Sequence, residues 1–187
     1  MTSKKIPVLW SKIAELVPKD SADYVTAKYQ IAEYTAMADK AAKPLQKFLT
    51  QFPDSPYTEN AYMGMVRAYH RAGDLDKEAD TYKEFVEKEI AAGNESPGLL
   101  NGYAWHMTEI EKNLNDALMK VQKAVAMLDS ASAKSRAQVM DTEGEVLWKL
   151  GKIPEAAQVE QQCIELQPDD AYYQKQKAKF LQESKGA

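Results

Sequence analysis

The sequence predicts an all-α chain built from repeated helix pairs, and three observations carry that prediction. Apolar residues recur at intervals of three and four, while no stretch shows sustained alternation bounded by hairpin turns. Glycine and proline cut the chain into pieces of helical length, at Pro18, Pro53, Pro56, Gly73, Gly93, Pro97, Gly98, Gly151, Pro154 and Pro168. Ala41, Ala79, Ala117 and Ala156 are separated by 38, 38 and 39 residues, so the pieces repeat.

Each of these alanines opens an apolar stripe at helical spacing. Leu45, Phe48 and Phe52 follow the first, and Tyr82 and Val86 the second. Val121, Ala124 and Leu128 follow the third, and Val159, Cys163 and Leu166 the fourth. Three of the stripes are preceded by a short polar turn holding one apolar residue: Gly73-Asp74-Leu75, Asn113-Leu114-Asn115 and Gly151-Lys152-Ile153. The unit is helix, tight turn, helix. Asp20 and Ser21, Asp54 and Ser55, Asp74, Ser96, and Asp169 and Asp170 stand just ahead of predicted helices, where a side-chain oxygen can accept from unpaired first-turn amides. Pro44 falls inside the piece from Ala41 to Phe52 and must start that helix late or bend it.

The recurrence resembles a tetratricopeptide repeat protein of bacterial type, with about four degenerate repeats. The resemblance is best in VMDTEGEVLWKLGKIPEAAQVEQQCIELQPDD. There Gly144 takes the family's small residue in the first helix, Leu147 its large one and Gly151 the turn. Ala156 and Cys163 match the small pair of the second helix, and Pro168 the terminator. Glu143 takes a position that is usually apolar. Tyr62, Met65, Val66, Tyr69 and Gly73 match in the second unit, where Ala79 comes one position late. In the third, Leu100, Tyr103, Ala104 and Met107 match, and Asp129 stands near the place of the proline. The first unit ends well at Phe52 and Pro53, while its first helix, around Tyr24 to Tyr34, fits poorly. FPDSPYTENA is similar to linkers in bacterial envelope members of the family. The family implies an α-solenoid of antiparallel helix pairs, a superhelix capped at both ends. Residues 1–20 are then an N-terminal capping helix, 21–168 four helix pairs, and 169–187 a C-terminal capping helix and tail. Trp10, Ile13 and Val17 would close the front. At the back Tyr173, Phe180 and Leu181 would face inward while Lys175, Lys177 and Lys179 stay in water.

Composition narrows the function. With 187 residues, 44% of them hydrophobic and 28% charged, the chain reads as an ordinary globular domain or short repeat array. A net charge of −4 gives no overall attraction to a phosphate backbone, so no nucleic-acid partner is expected. No apolar run reaches the roughly 18 residues of a spanning helix. In the opening MTSKKIPVLWSKIAELVPKD, Lys12 and Glu15 interrupt any secretory apolar segment. A cytoplasmic protein is expected, or a periplasmic one if the chain is a mature segment cut from a longer exported one.

Candidates for catalysis are thin, and no enzyme, cofactor or metal is expected. His70 and His106 would sit on neighbouring first helices, and His106 with Glu109 makes one three-residue ligand spacing without a second. The single cysteine, Cys163, matches an interior position and reads as core packing. Gly93, Gly98 and Gly102 lack the strand and Lys-Ser pair of a phosphate loop. Asn94-Glu95-Ser96 is formally a glycosylation acceptor.

The resemblance implies instead a concave groove, lined by the outward face of the first helices, that takes an extended peptide or protein segment. At about 100° per residue, that face carries Asn60, Met63 and Arg67, then Asn101 and Trp105, then Asp141, Glu145, Trp148 and Lys149. Trp105 and Trp148 are the expected anchors, since exposed tryptophan is costly unless covered by a partner. A register shift of one residue turns either into core or an inter-repeat contact. Asp141 and Glu145 stand where carboxylate-clamp members of the family need positive charge, so a mixed-charge ligand is expected. The alternative is a structural or oligomerisation module of a larger, envelope-associated protein, and monomer and homodimer both stay open.

Overall fold

A computed structural model describes residues 5–128 and 132–183. Among them are ten helices and no strand: α1 (Lys5–Leu16), α2 (Ala22–Asp39), α3 (Lys43–Gln51), α4 (Thr58–Ala72), α5 (Leu75–Ala91), α6 (Pro97–Ile110), α7 (Leu114–Ala126), α8 (Ala133–Lys149), α9 (Ile153–Leu166) and α10 (Ala171–Glu183). None is long and apolar enough to cross a membrane. Asp129 lies outside the described residues.

Several helices end through one shared device. The amide of Ala41 donates to the carbonyl of Ala36, Asp74 to Tyr69, Lys112 to Met107 and Lys152 to Leu147, all at 2.9–3.1 Å. Each is the six-to-one bond that closes a helix through a left-handed residue. That residue is Lys40, Gly73, Glu111 and Gly151 in turn. Glycine meets the positive φ without a Cβ penalty at Gly73 and Gly151, whereas Lys40 and Glu111 carry the strain of a side chain there.

Restarts are capped mostly as expected. The hydroxyls of Ser21 and Ser96 accept from the amides of Tyr24 and Leu99 at 3.1 and 3.2 Å. Asp74 accepts from Lys77 and Asp170 from Tyr172. Ser132 caps α8, unforeseen in the sequence. Asp54 and Ser55 are a correction: α4 begins at Thr58, and the Ser55 hydroxyl accepts from Tyr57 ahead of it. Pro44 sits in the first turn of α3 and so starts the helix late without bending it.

The chain forms two compact units, Met1–Phe85 and Val86–Ala187, with the boundary inside α5. In the first, α1 packs on α2, α2 on α3 and α4, and α3 on α4. Its core gathers Tyr29, Leu45, Phe48 and Met65 around Ala32, Ala36, Ala42, Ala61 and Ala68. Tyr29 stacks on Tyr57 with ring centroids 4.5 Å apart and meets Phe48 edge-on. Ala41 is a correction, because the chain is still in the connection there and the residue is half-buried; Ala42 is the one packed into the core. Trp10, Ile13 and Val17 are half-buried, and α1 covers α2.

In the second unit α6 packs on α7 and α8, α7 on α8, α8 on α9, and α9 on α10. Ala117 and Ala156 are fully buried, as is Cys163, which packs with Ala137, Met140 and Tyr173. Small side chains at these positions leave room for helices to pack closely. The buried Tyr103 hydroxyl donates to Asp116 at 2.6 Å, and Lys120 lies over its ring while bonded to Asp116 and Glu87. Of this polar knot only the Asp116–Lys120 pair, four residues apart on α7, shows in the sequence at helical spacing.

Gly144 marks the tightest approach in α8. A Cβ there would lie 2.8 Å from the Glu160 carboxyl and 3.3 Å from the Phe180 ring. Gly144→Ala is expected to lower stability by about 1–3 kcal/mol despite its better helix propensity. Gly98, with nothing within 4 Å, is the matched reference and should lose nothing as alanine. Urea midpoints of the two variants check this, and equal midpoints would contradict it.

Candidate functional site

The nine residues expected to line a groove divide between the two units. Asn60, Met63 and Arg67 lie on α4 in the first, with Asn60 and Arg67 exposed and Met63 half-buried. The other six belong to α6 and α8 in the second. On α6, Asn101 is half-buried and Trp105 keeps 40% of its surface in water. On α8, Lys149 reaches Glu111 at the end of α6, at 2.6 Å, and its ammonium stands 4.8 Å from the Trp148 ring.

Asp141, Glu145 and Trp148 share one stripe of α8, and α10 lies over it. Tyr172 donates its hydroxyl to Asp141 at 3.0 Å. Gln176 donates to Glu145 at 2.8 Å, and Lys179 pairs with the same carboxylate at 2.5 Å. The Phe180 ring stacks on Trp148 with centroids 5.6 Å apart, and Lys179 stands 4.3 Å from the indole centroid. The expectation of an open face here is corrected: Glu145 is only 5% exposed and Trp148 half-buried, because the C-terminal helix lies against both. Two further expectations change with it. Lys179 turns onto Glu145 instead of remaining in water, and Leu181 points outward at 43% exposure.

Beneath α10 is a group that the sequence reading missed. Glu160 of α9 is fully buried, with its carboxyl against Gly144, which the Phe180 ring also approaches. Its signal was available, for Glu160 falls four residues after Ala156 and three before Cys163, on the buried stripe of its own helix. Apart from Asp141, no side chain or amide of the described residues bonds to either carboxyl oxygen. The carboxyl lies within hydrogen-bonding reach of Asp141, also a carboxyl, so that contact forms only when one of the two carries a proton. Burial, then the charges of Asp141 and Glu145, push Glu160 up to about 9, with Lys179 pulling the other way. Asp141 is raised as well, first by burial.

The remaining candidates have structural partners. His70 Nδ1 lies 3.0 Å from the carboxyl of Glu78, which is fully buried. The Cys163 thiol is raised by burial and donates to the Ala137 carbonyl at 3.5 Å, so it is held as a thiol. No group of three or more His, Cys, Asp or Glu among the described residues is placed to hold a metal ion. What the α8 face can do with the side chains present is hold a helix that offers lysine beside aromatic rings. Comparison of the chain with protein-family models found no match, and comparison with curated proteins found none either.

A raised carboxyl fixes the sign of the pH dependence. The folded chain keeps on Glu160 a proton that the unfolded chain, with an ordinary value of 4.5, releases. Stability is therefore full below that value and falls as pH rises toward about 9, by at most about 1.4 kcal/mol per unit for one proton. Denaturation midpoints should decline from pH 5 to pH 9, and Glu160→Gln should flatten the decline. An unchanged slope in that variant would contradict the assignment.

Proposed function

We propose that the chain is an α-solenoid of the tetratricopeptide type whose role is to bind an extended segment of another protein along its first helices, without catalysis. The observation that carries the reading is the repeated helix ending followed, in the last three pairs, by a buried alanine: Gly73 with Ala79, Glu111 with Ala117 and Gly151 with Ala156. A device repeated at that interval belongs to stacked helix pairs more than to a closed bundle. Within each unit the first helices also touch one another, α2 with α4 and α6 with α8, as stacking requires.

Trp105 is the anchor in this reading. It is large, its ring is open to solvent, and α6 holds its backbone rigidly, with Tyr103, Ala104 and Met107 buried around it. A partner that covers the indole gains apolar burial at little conformational cost, the usual chemistry of a binding hot spot. A partner of mixed charge suits Lys149 with Glu111 in the second unit.

The second reading, an oligomerisation module, has one observation in its favour. Val8, Leu9 and Leu16 on α1 are 57%, 59% and 84% exposed, an apolar face that a second chain could cover. Sedimentation across a concentration series separates the two, since self-association through α1 is lost in Leu9→Glu and Leu16→Glu.

Trp105→Ala should leave the circular dichroism spectrum and melting temperature close to wild type. It should weaken capture of a crosslinked partner by about 2 kcal/mol or more, roughly thirtyfold. Undiminished capture by that variant would overturn the groove reading.

A further inference from the structure

A fully buried carboxyl with no donor but another carboxyl is an expensive thing to keep in a helix interface, and Glu160 has solvent on neither side. Three helices close around it. From α8 come Asp141 and Glu145; from its own helix comes Cys163, three residues on. From α10 come Lys179 and, near its start, Tyr173, while Tyr172 meets Asp141. Of these only Lys179 is a cation, and its shortest bond goes to Glu145. The Glu160–Asp141 contact is therefore one carboxyl donating to another, and it lasts only while the pair holds a proton.

The lid over this pair is α10, whose ties to α8 are the two polar contacts on Glu145, the Tyr172 hydroxyl on Asp141 and the Phe180 ring on Trp148. It also packs on α9, to which residues 167–170 join it, with Tyr173 against Cys163 and Lys177 donating to Gln161. Opening breaks these contacts together with those to α8, and none of them belongs to the α6–α7 crossing.

We propose that α10 is a proton-held latch: it stays seated on α8 while Glu160 and Asp141 share a proton, and it lifts away, baring Trp148, when that proton goes to solvent. Opening admits water to both carboxyls and separates them from the aromatic cover, so the open form favours the fully ionised pair. Each docking event then takes up about one proton, and the equilibrium between seated and lifted α10 moves by up to tenfold per pH unit. Seating is tightest in mildly acidic solution and loosens as pH rises. The face laid bare carries Asp141, Glu145 and Trp148, complementary to a helix that presents lysine beside an aromatic ring, as α10 itself does. Only this consequence for partners rests on the groove reading; the latch does not.

Hydrogen exchange on the full chain at pH 5.5, 7.0 and 8.5, corrected for intrinsic exchange rates, tests the latch. The expected result is that α10 amides are less protected than those of α9 and lose protection by up to tenfold per pH unit. In Glu160→Gln the same amides should hold a level protection. In a Trp10→Phe, Trp105→Phe chain, acrylamide quenching of the remaining Trp148 should rise in step with the loss. Protection of α10 that matches α9 at every pH would overturn the proposal, as would a slope retained in Glu160→Gln. Should that variant fail to fold, the wild-type comparison of α10 with α9 and the Trp148 quenching decide alone. Loss of partner capture in Trp105→Ala concerns the groove and leaves the latch untouched.

Discussion

Among the described residues, methyl, thiol and hydrogen side chains are buried where helices pack on one another. Ala79, Ala117, Ala156 and Cys163 are buried to 2% exposure or less, and Gly144 has no room for a Cβ without displacing Glu160. The constraint acts through van der Waals contact, which fades within an ångström of separation, and through the apolar area that close approach removes from water. Larger groups then fill the spaces beside each crossing. Tyr29, Leu45 and Phe48 do so in the first unit, and Leu100, Tyr103 and Met107 in the second. The helix endings serve the same constraint, since a left-handed residue returns the chain within a few positions to lie against the helix it has just left.

Polar groups inside this framework are arranged by rank of cost. Tyr103, Asp116 and Lys120 satisfy one another, so their burial carries little penalty and orients the α6–α7 crossing. Glu78 has the His70 ring beside it. Glu160 differs, because a second carboxyl is its neighbour and no cation reaches it within bonding distance. Its environment ties the C-terminal helix to proton concentration, whereas Tyr103, Asp116 and Lys120 tie their helices to each other. The charge placed on the α8 face also explains why α10 carries Lys179 beside Phe180: the ammonium neutralises Glu145 and its stem and ring cover Trp148.

Much of the architecture was legible in the sequence because the repeat spacing and the turn residues are local signals. Gly73 and Gly151 mark their turns directly, and Ser21 and Ser96 mark helix starts. Ala41 misled because Lys40, a residue with no turn preference, takes the left-handed position and moves the helix start past it. At the α8 face, periodicity placed Asp141, Glu145 and Trp148 correctly on one stripe but could not say what lies on it. Whether a stripe meets solvent or a later helix is decided by residues some thirty positions away, and α10 was read as a cover for the core with its lysines in water. Glu160 was hidden for another reason. A charged residue on an apolar stripe reads as a break in the pattern until the coordinates show it enclosed.

The most direct test of the packing constraint enlarges a fully buried residue of α7. In Ala117→Leu the added atoms have no space between α6 and α7, so the urea midpoint should fall by the equivalent of about 1–3 kcal/mol and near-UV circular dichroism should weaken while helix content largely persists. A variant with the midpoint and near-UV spectrum of the parent would mean that the crossing tolerates bulk, and that close approach is not what holds these helices together.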